Sequence, residues 1–188
     1  MKDVCVFCGS SPGGDPMFMQ AAKALGEAMS AQSMGLVYGG ANVGLMGQVA
    51  DAVLAGNQKV VGIIPQSFAH KVSHPGLTQL HVVDSMHTRK AMMFELADAC
   101  IALPGGFGTL EELTEVLTWA QLEFHQKPIG LLNINGYYDA LLTFFDQAVL
   151  AGFIKPEHLE LLIVHHDPTE LLKLLNNYTP KMATKWSN

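Results

Sequence analysis

Ala99-Cys-Ile-Ala-Leu-Pro-Gly-Gly-Phe-Gly-Thr-Leu-Glu-Glu112 decides the reading of this chain. Its first five residues are a short apolar run of the kind buried on both faces of a sheet. Leu110, Leu113, Val116, Leu117 and Ala120 then recur at helical spacing, so a strand passes through a glycine-rich turn into an amphipathic helix. Such a turn presents backbone N–H groups at the positive end of the helix, a place suited to phosphate. An anion there gains roughly 0.3–1 kcal/mol when exposed, and more when partly buried. The turn predicts that the chain binds a phosphorylated small molecule.

The same alternation runs outward in both directions. Strand-like runs lie at Val4–Cys8, Leu36–Tyr38, Lys59–Ile64, Leu80–Val83, Ala99–Leu103, Ile129–Leu132 and Leu162–Val164. Helical patterns fall between them near 16–33, 44–56, 86–97, 109–125, 137–151 and 168–177. Short apolar strands alternating with helices predict an α/β fold: a Rossmann-like, doubly wound parallel sheet with helices on both faces. The interval Pro65–Gly76 reads as irregular, either a loop over the rim of a pocket or an ordinary surface connection. No repeat or linker marks a second domain, so residues 1–178 are expected to form one domain. The polar stretch 179–188 is expected to be a flexible C-terminal tail.

Composition narrows the function. The chain has 188 residues, with 49% hydrophobic and 15% charged side chains, a balance suited to a covered parallel sheet and a subunit interface. A formal charge of −6 argues against a broad nucleic-acid surface. No run approaches the roughly 20 apolar residues needed to cross a bilayer, and no export signal is evident, so a cytoplasmic location without membrane association is expected. Cys5 and Cys8 are spaced as CxxC but lie in a strand-like run, on opposite faces, which favours core packing over redox or metal use.

Three glycine-bearing turns follow strands: Cys8–Gly14, Tyr38–Gly47 and Pro104–Thr109. In open α/β sheets ligands gather beyond the carboxyl ends of the strands, so three such turns point together to a nucleotide or sugar phosphate. None ends in the Gly-Lys-Ser/Thr of a P-loop, and the turn after Gly106-Phe-Gly108 lacks the third glycine of a dinucleotide fingerprint. Ser10 and Ser11 are placed to donate hydrogen bonds to a ligand. Glu112 admits two readings of equal weight. It is the last residue of a capping box with Thr109 as N-cap, or it is catalytic. Glu111, Glu112 and Glu115 crowd a helix start that would receive phosphate and would repel it, unless they face away or a nearby cation compensates. Met86-His-Thr-Arg-Lys90 supplies one: Arg89 suits bidentate recognition of an anion, unless Arg89 and Lys90 are only a solvated pair on a helix. His70, His74, His165 and His166 have no metal-site context, and no metal is expected.

Together these segments resemble the LOG family, formerly labelled lysine decarboxylase-like. Pro104 through Glu112 matches the family motif Pro-Gly-Gly-x-Gly-Thr-x-x-Glu, and Met86 through Lys90 matches Met-His-x-Arg-Lys. The openings Cys8-Gly-Ser-Ser11 and Tyr38-Gly-Gly-Ala-Asn-Val-Gly-Leu-Met-Gly47 match as well, as does Leu117-Thr-Trp-Ala-Gln121. The resemblance spans residues 3–176. It implies an N-glycoside hydrolase that converts nucleoside 5′-monophosphates, notably N6-substituted adenosine monophosphates (cytokinin precursors) or AMP itself, to free base and ribose 5-phosphate. It implies catalytic roles for Arg89 and Glu112. Substrate-binding roles carry over to Lys90, Gly105, Gly106, Phe107, Gly108, Thr109, Leu110, Glu111 and Thr118, and are expected also for Ser10 and Gly40. A homodimer with its sites near the interface is implied, with no cofactor. The older label would require pyridoxal phosphate, yet none of the three turns holds a lysine, and Lys71 and Lys90 are unsupported candidates. The alternative function is a non-catalytic carrier of a nucleotide or of molybdenum cofactor, since related folds bind such ligands without hydrolysis.

Overall fold

Side chains of the central strands alternate between two apolar layers. Val4 and Val6 enter one layer with Leu36, Tyr38, Ala99 and Ile101, while Cys5 and Phe7 enter the other with Val37, Cys100 and Ala102. Burial on both faces requires cover on both faces, the condition met by parallel sheets with crossover helices. In the computed structural model, which describes residues 1–180, all seven strands join one parallel sheet. They are β1 (Asp3–Phe7), β2 (Gly35–Tyr38), β3 (Val60–Pro65), β4 (Gln79–Val83), β5 (Ala99–Ala102), β6 (Ile129–Leu132) and β7 (Leu162–His165). Their order is β4-β3-β2-β1-β5-β6-β7. The chain winds outward from β1 to β4, returns past β1 and winds outward again from β5. The direction therefore switches between β1 and β5, where a doubly wound sheet opens a crevice for ligand.

One face is covered by α1 (Pro16–Ala31), α2 (Gly44–Ala55) and α8 (Pro168–Asn176), and the other by α4 (Met86–Glu95), α5 (Phe107–Gln121) and α6 (Asp139–Leu150). Helix starts follow local chemistry. Asp15 caps α1 through the Met17 N–H and Asp167 caps α8 through the Glu170 N–H, each with proline at the first helical position. The seven strands and these six helices lie where the sequence puts them, with ends displaced by a few residues. Two short helices were not expected: α7 (Pro156–Leu159), and α3 (Gln66–Val72) inside the interval read as irregular. None of the α3 residues is buried, so no core-facing stripe announced it. Of the expected tail, Thr179 and Pro180 are exposed and outside any helix, and 181–188 lie outside the described residues. No helix among the described residues is long and apolar enough to cross a membrane.

The cysteines sit as their strand positions require. Cys5 faces Cys100 across the β1–β5 ladder in one layer, and Cys8 packs against the other. All three are free thiols, and burial pushes Cys5 and Cys8 above the ordinary thiol range, which keeps them protonated.

Helices α1 and α2 pack closely at Gly26. A Cβ there would stand 2.5 Å from Ala52 Cβ and 2.8 Å from the Val49 carbonyl oxygen. Gly26→Ala should raise helix propensity by about 1 kcal/mol yet lose more than that to the clash. The expected net result is destabilisation of about 1–2 kcal/mol, read as a lower urea midpoint with an unchanged m-value.

Candidate active site

The three glycine turns meet at the carboxyl end of the sheet because backbone hydrogen bonds join them. Gly9 N–H donates to the Pro104 carbonyl at 3.0 Å, tying the turn after β1 to the turn after β5. Leu45 N–H, at the start of α2, donates to the Gly9 carbonyl at 3.1 Å. Between and above these turns lies a cavity of about 380 Å³. The first turn of α5 forms one wall. Leu110 N–H makes the first helical bond to Gly106, so the N–H groups of Phe107, Gly108 and Thr109 lie at the open end of that helix.

A buried ion pair between α4 and α5 lines the same cavity. Ser85 caps α4 through the Thr88 N–H at 3.1 Å, which sets Arg89 one turn into the helix. Arg89 Nε donates to the Ile63 carbonyl at 3.2 Å and Nη1 donates to Glu112 Oε1 at 2.8 Å. The two residues are 9% and 7% exposed, and both line the cavity. Gly39 explains itself here: the guanidinium and Met46 press so close to its Cα that any Cβ would displace them.

Burial pushes the Glu112 carboxyl above the usual carboxylate range, and Arg89 opposes that shift without cancelling it. A carboxyl held in this way is a better proton acceptor than an exposed glutamate. The remaining acids have their own cation. Lys90 Nζ donates to Glu111 and, at 3.0 Å, to Glu115. Burial works against the Lys90 charge, but these two acids outweigh it and raise its pKa. Adjacent basic residues on α4 thus serve different acids on α5.

The capping box does not form. α5 begins at Phe107 with Gly106 as its N-cap and no side-chain cap, which places Thr109 at the third helical position. Gly105 and Gly106 let the chain turn before Thr109, and the Thr109 hydroxyl packs against Gly105. Glu112 is consequently too far into the helix to reach back, and its partner is Arg89.

Ser10, Gly106, Phe107, Gly108, Thr109 and Glu111 line the cavity together with Arg89 and Glu112. Gly105 lines a second hollow next to it. Gly40 lies just behind, its carbonyl accepting from His74 N–H, and Leu110 packs toward the core. Lys90 is not part of the cavity wall. Thr118 lies nine residues beyond Thr109, about 14 Å along the helix, and faces a separate apolar hollow of about 130 Å³ with Phe145 and Ile154. Met46 and Met86 line the cavity, whereas Met93 is core. Phe68 and Val72 of α3 were not anticipated as lining residues. Their four-residue spacing was the one available sign of a helical face in that interval.

Residues 46–175 match a family model described as "possible lysine decarboxylase". A rice protein named probable cytokinin riboside 5′-monophosphate phosphoribohydrolase is 48% identical over 96% of this chain and 74% of its own length. A cytokinin riboside 5′-monophosphate phosphoribohydrolase of Arabidopsis thaliana is 48% identical over 96% of this chain and 83% of its own. Among solved structures, the molybdenum cofactor binding protein of Rippkaea orientalis superimposes with a TM-score of 0.70 at 24% identity, covering 94% of this chain and 96% of the other. A Moco carrier protein of Chlamydomonas reinhardtii has the same TM-score at 16% identity, covering 93% and 95%. At those identities the likeness is one of fold. The family match and the near-half identity along almost the whole chain place this protein in the LOG family.

Proposed function

We propose that this chain hydrolyses the N-glycosidic bond of adenosine 5′-monophosphates, with N6-substituted (cytokinin-type) and unsubstituted bases as the substrate class. The observation that carries the reading is a buried guanidinium–carboxylate pair facing the same cavity as the open end of α5. In the reaction the C1′–N bond breaks, the base leaves with the bonding electrons and acquires a proton, and water oxygen bonds to C1′. Positive charge develops on the ribosyl ring as in glycoside hydrolysis. Glu112 would stabilise that charge and accept the proton of the attacking water, while Arg89 holds the carboxylate in place. The amides of Gly106 through Thr109 would receive the 5′-phosphate, so binding remote from the bond can assist distortion of the sugar. The carrier alternative has support from fold alone, whereas the phosphoribohydrolase reading has twice the sequence identity and the buried pair behind it.

A homodimer belongs to the same reading. Phe107 at the cavity mouth is 93% exposed, and Leu150 and Phe153 are 88% and 85% exposed at the end of α6 and just beyond it. Large apolar side chains left in water mark association surfaces. Sedimentation equilibrium should find a species of about twice the 20.3 kDa chain mass. A monomer at micromolar concentration would count against the dimer.

Glu112→Gln keeps the shape and can still accept from Arg89, but carries no charge and takes no proton. Turnover of AMP and isopentenyl-AMP should fall by at least about 100-fold with the circular dichroism spectrum unchanged. Release of free adenine-type base at the wild-type rate would reject Glu112 as the catalytic carboxylate.

Arg89→Met should leave a buried carboxylate without its counter-charge. Because the native Glu112 pKa lies above its unfolded value, this group favours folding most below the unfolded pKa, and that contribution is lost as pH rises through the native value. The variant should therefore be about 3–5 kcal/mol less stable than wild type near pH 8, and the gap should narrow toward pH 5. Urea titrations at both pH values check this.

A further inference from the structure

Two consecutive tyrosines after β6 reach the glycine-rich turn. Tyr137 Oη donates to the Gly105 carbonyl at 2.7 Å, and Tyr138 Oη donates to the Leu103 carbonyl at 2.6 Å. Tyr137 lines the second hollow, of about 300 Å³, with Phe18, Pro104 and Gly105. Gly9, Ser10 and Gly106 are shared between that hollow and the main cavity and so form the partition between them.

In a trans peptide the carbonyl and the following N–H point in opposite directions. A hydroxyl that holds the Gly105 carbonyl on one side of the partition also sets where the Gly106 N–H points on the other. The Gly105–Gly106 peptide needs such a tether. Glycine on both sides leaves its rotation nearly unrestricted, and no side chain of its own can hold it. From the other side, the Thr109 hydroxyl and Gly9 N press on Gly105 closely enough to exclude a Cβ, which limits translation of the turn. Tyr137 itself is braced by edge-on contacts with Phe18 at 5.3 Å and Tyr138 at 4.8 Å between ring centroids.

We propose that Tyr137 is a positioning residue for the phosphate cradle, acting through the Gly105 carbonyl to aim the Gly106 N–H at the 5′-phosphate. The proposal rests on the reading of this turn as the phosphate site and adds to it a residue outside the cavity wall. Tyr138 supplies an internal control. The carbonyl it holds belongs to the Leu103–Pro104 peptide, and proline has no N–H to aim. Its hydroxyl anchors the end of β5 and also meets the Gly105 backbone, but it does not hold the carbonyl paired with the Gly106 N–H.

Tyr137→Phe removes the hydroxyl and keeps both ring contacts. Calorimetric titration should show AMP affinity reduced roughly five- to tenfold, the worth of one hydrogen bond, with adenosine affinity unchanged. Steady-state kinetics should show KM for AMP raised in the same proportion with kcat altered less than about twofold. Tyr138→Phe should lower the urea midpoint but keep the wild-type preference for AMP over adenosine. A Tyr137→Phe protein with the wild-type preference overturns the proposal, as does a Tyr138→Phe protein that loses the preference equally. A wild-type protein that binds AMP no better than adenosine overturns both this inference and the phosphate-cradle reading beneath it.

Discussion

The ion pair between Arg89 and Glu112 joins α4 to α5 across the carboxyl end of the sheet, and most of the local architecture is arranged around it. Removing two charges from water costs several kcal/mol per ion after relaxation, and two apolar side chains of equal volume would serve the fold as well or better. The surroundings reduce that cost without abolishing it. The Ile63 carbonyl accepts from Nε, the missing Cβ at Gly39 makes room for the guanidinium, and the Ser85 cap fixes the helix that carries it. Even so, burial keeps the Glu112 carboxyl above its ordinary pKa. A chain selected for stability alone has no reason to hold a carboxylate there. On the function proposed here, that carboxylate stabilises a transient cation beside a bound anion.

The acidic helix start follows the same logic. Glu111, Glu112 and Glu115 lie near amides that would receive phosphate, and three carboxylates would repel it. Arg89 takes Glu112 while Lys90 takes Glu111 and Glu115, so two cations offset three anions and one net negative charge remains. Successive helical residues point about 100° apart, which is why neighbours in sequence can address different acids. The basic pair is therefore neither a solvated surface feature nor a uniform phosphate clamp. Arg89 faces the cavity and Lys90 supports its outer wall.

Much of this was legible beforehand, and the exceptions share a cause. Strand positions followed from apolar runs, and the turn after β5 announced itself through its glycines. Helix α5 starts at Phe107 rather than near 109, with its N-cap three residues before the Thr109 that a capping box would use, and nothing local opposes the capping-box spacing of Thr109-Leu-Glu-Glu112. The Gly105–Gly106 pair settled the matter only because the folded chain turns there to let Gly9 bond Pro104. Helix α3 escaped notice because it packs no buried residue and exists where the β3–β4 crossing needs a short connection, yet Phe68 and Val72 from it reach the cavity.

Periodicity and turn chemistry, which are properties of neighbours in the chain, determined the element order, the parallel sheet and the end of the sheet where the three glycine turns gather. They also carried the family motifs, whose membership the near-full-length relatives bear out. Which acid pairs with which base was decided only by the tertiary structure, as was the approach of Tyr137 to a carbonyl 32 residues away. A charged or hydroxyl side chain finds its partner through the order in which strands lie side by side, and the sequence order of the segments does not contain that order. The switch between β1 and β5 brings Arg89, Glu112 and the three glycine turns to one cavity, and no local rule places them there.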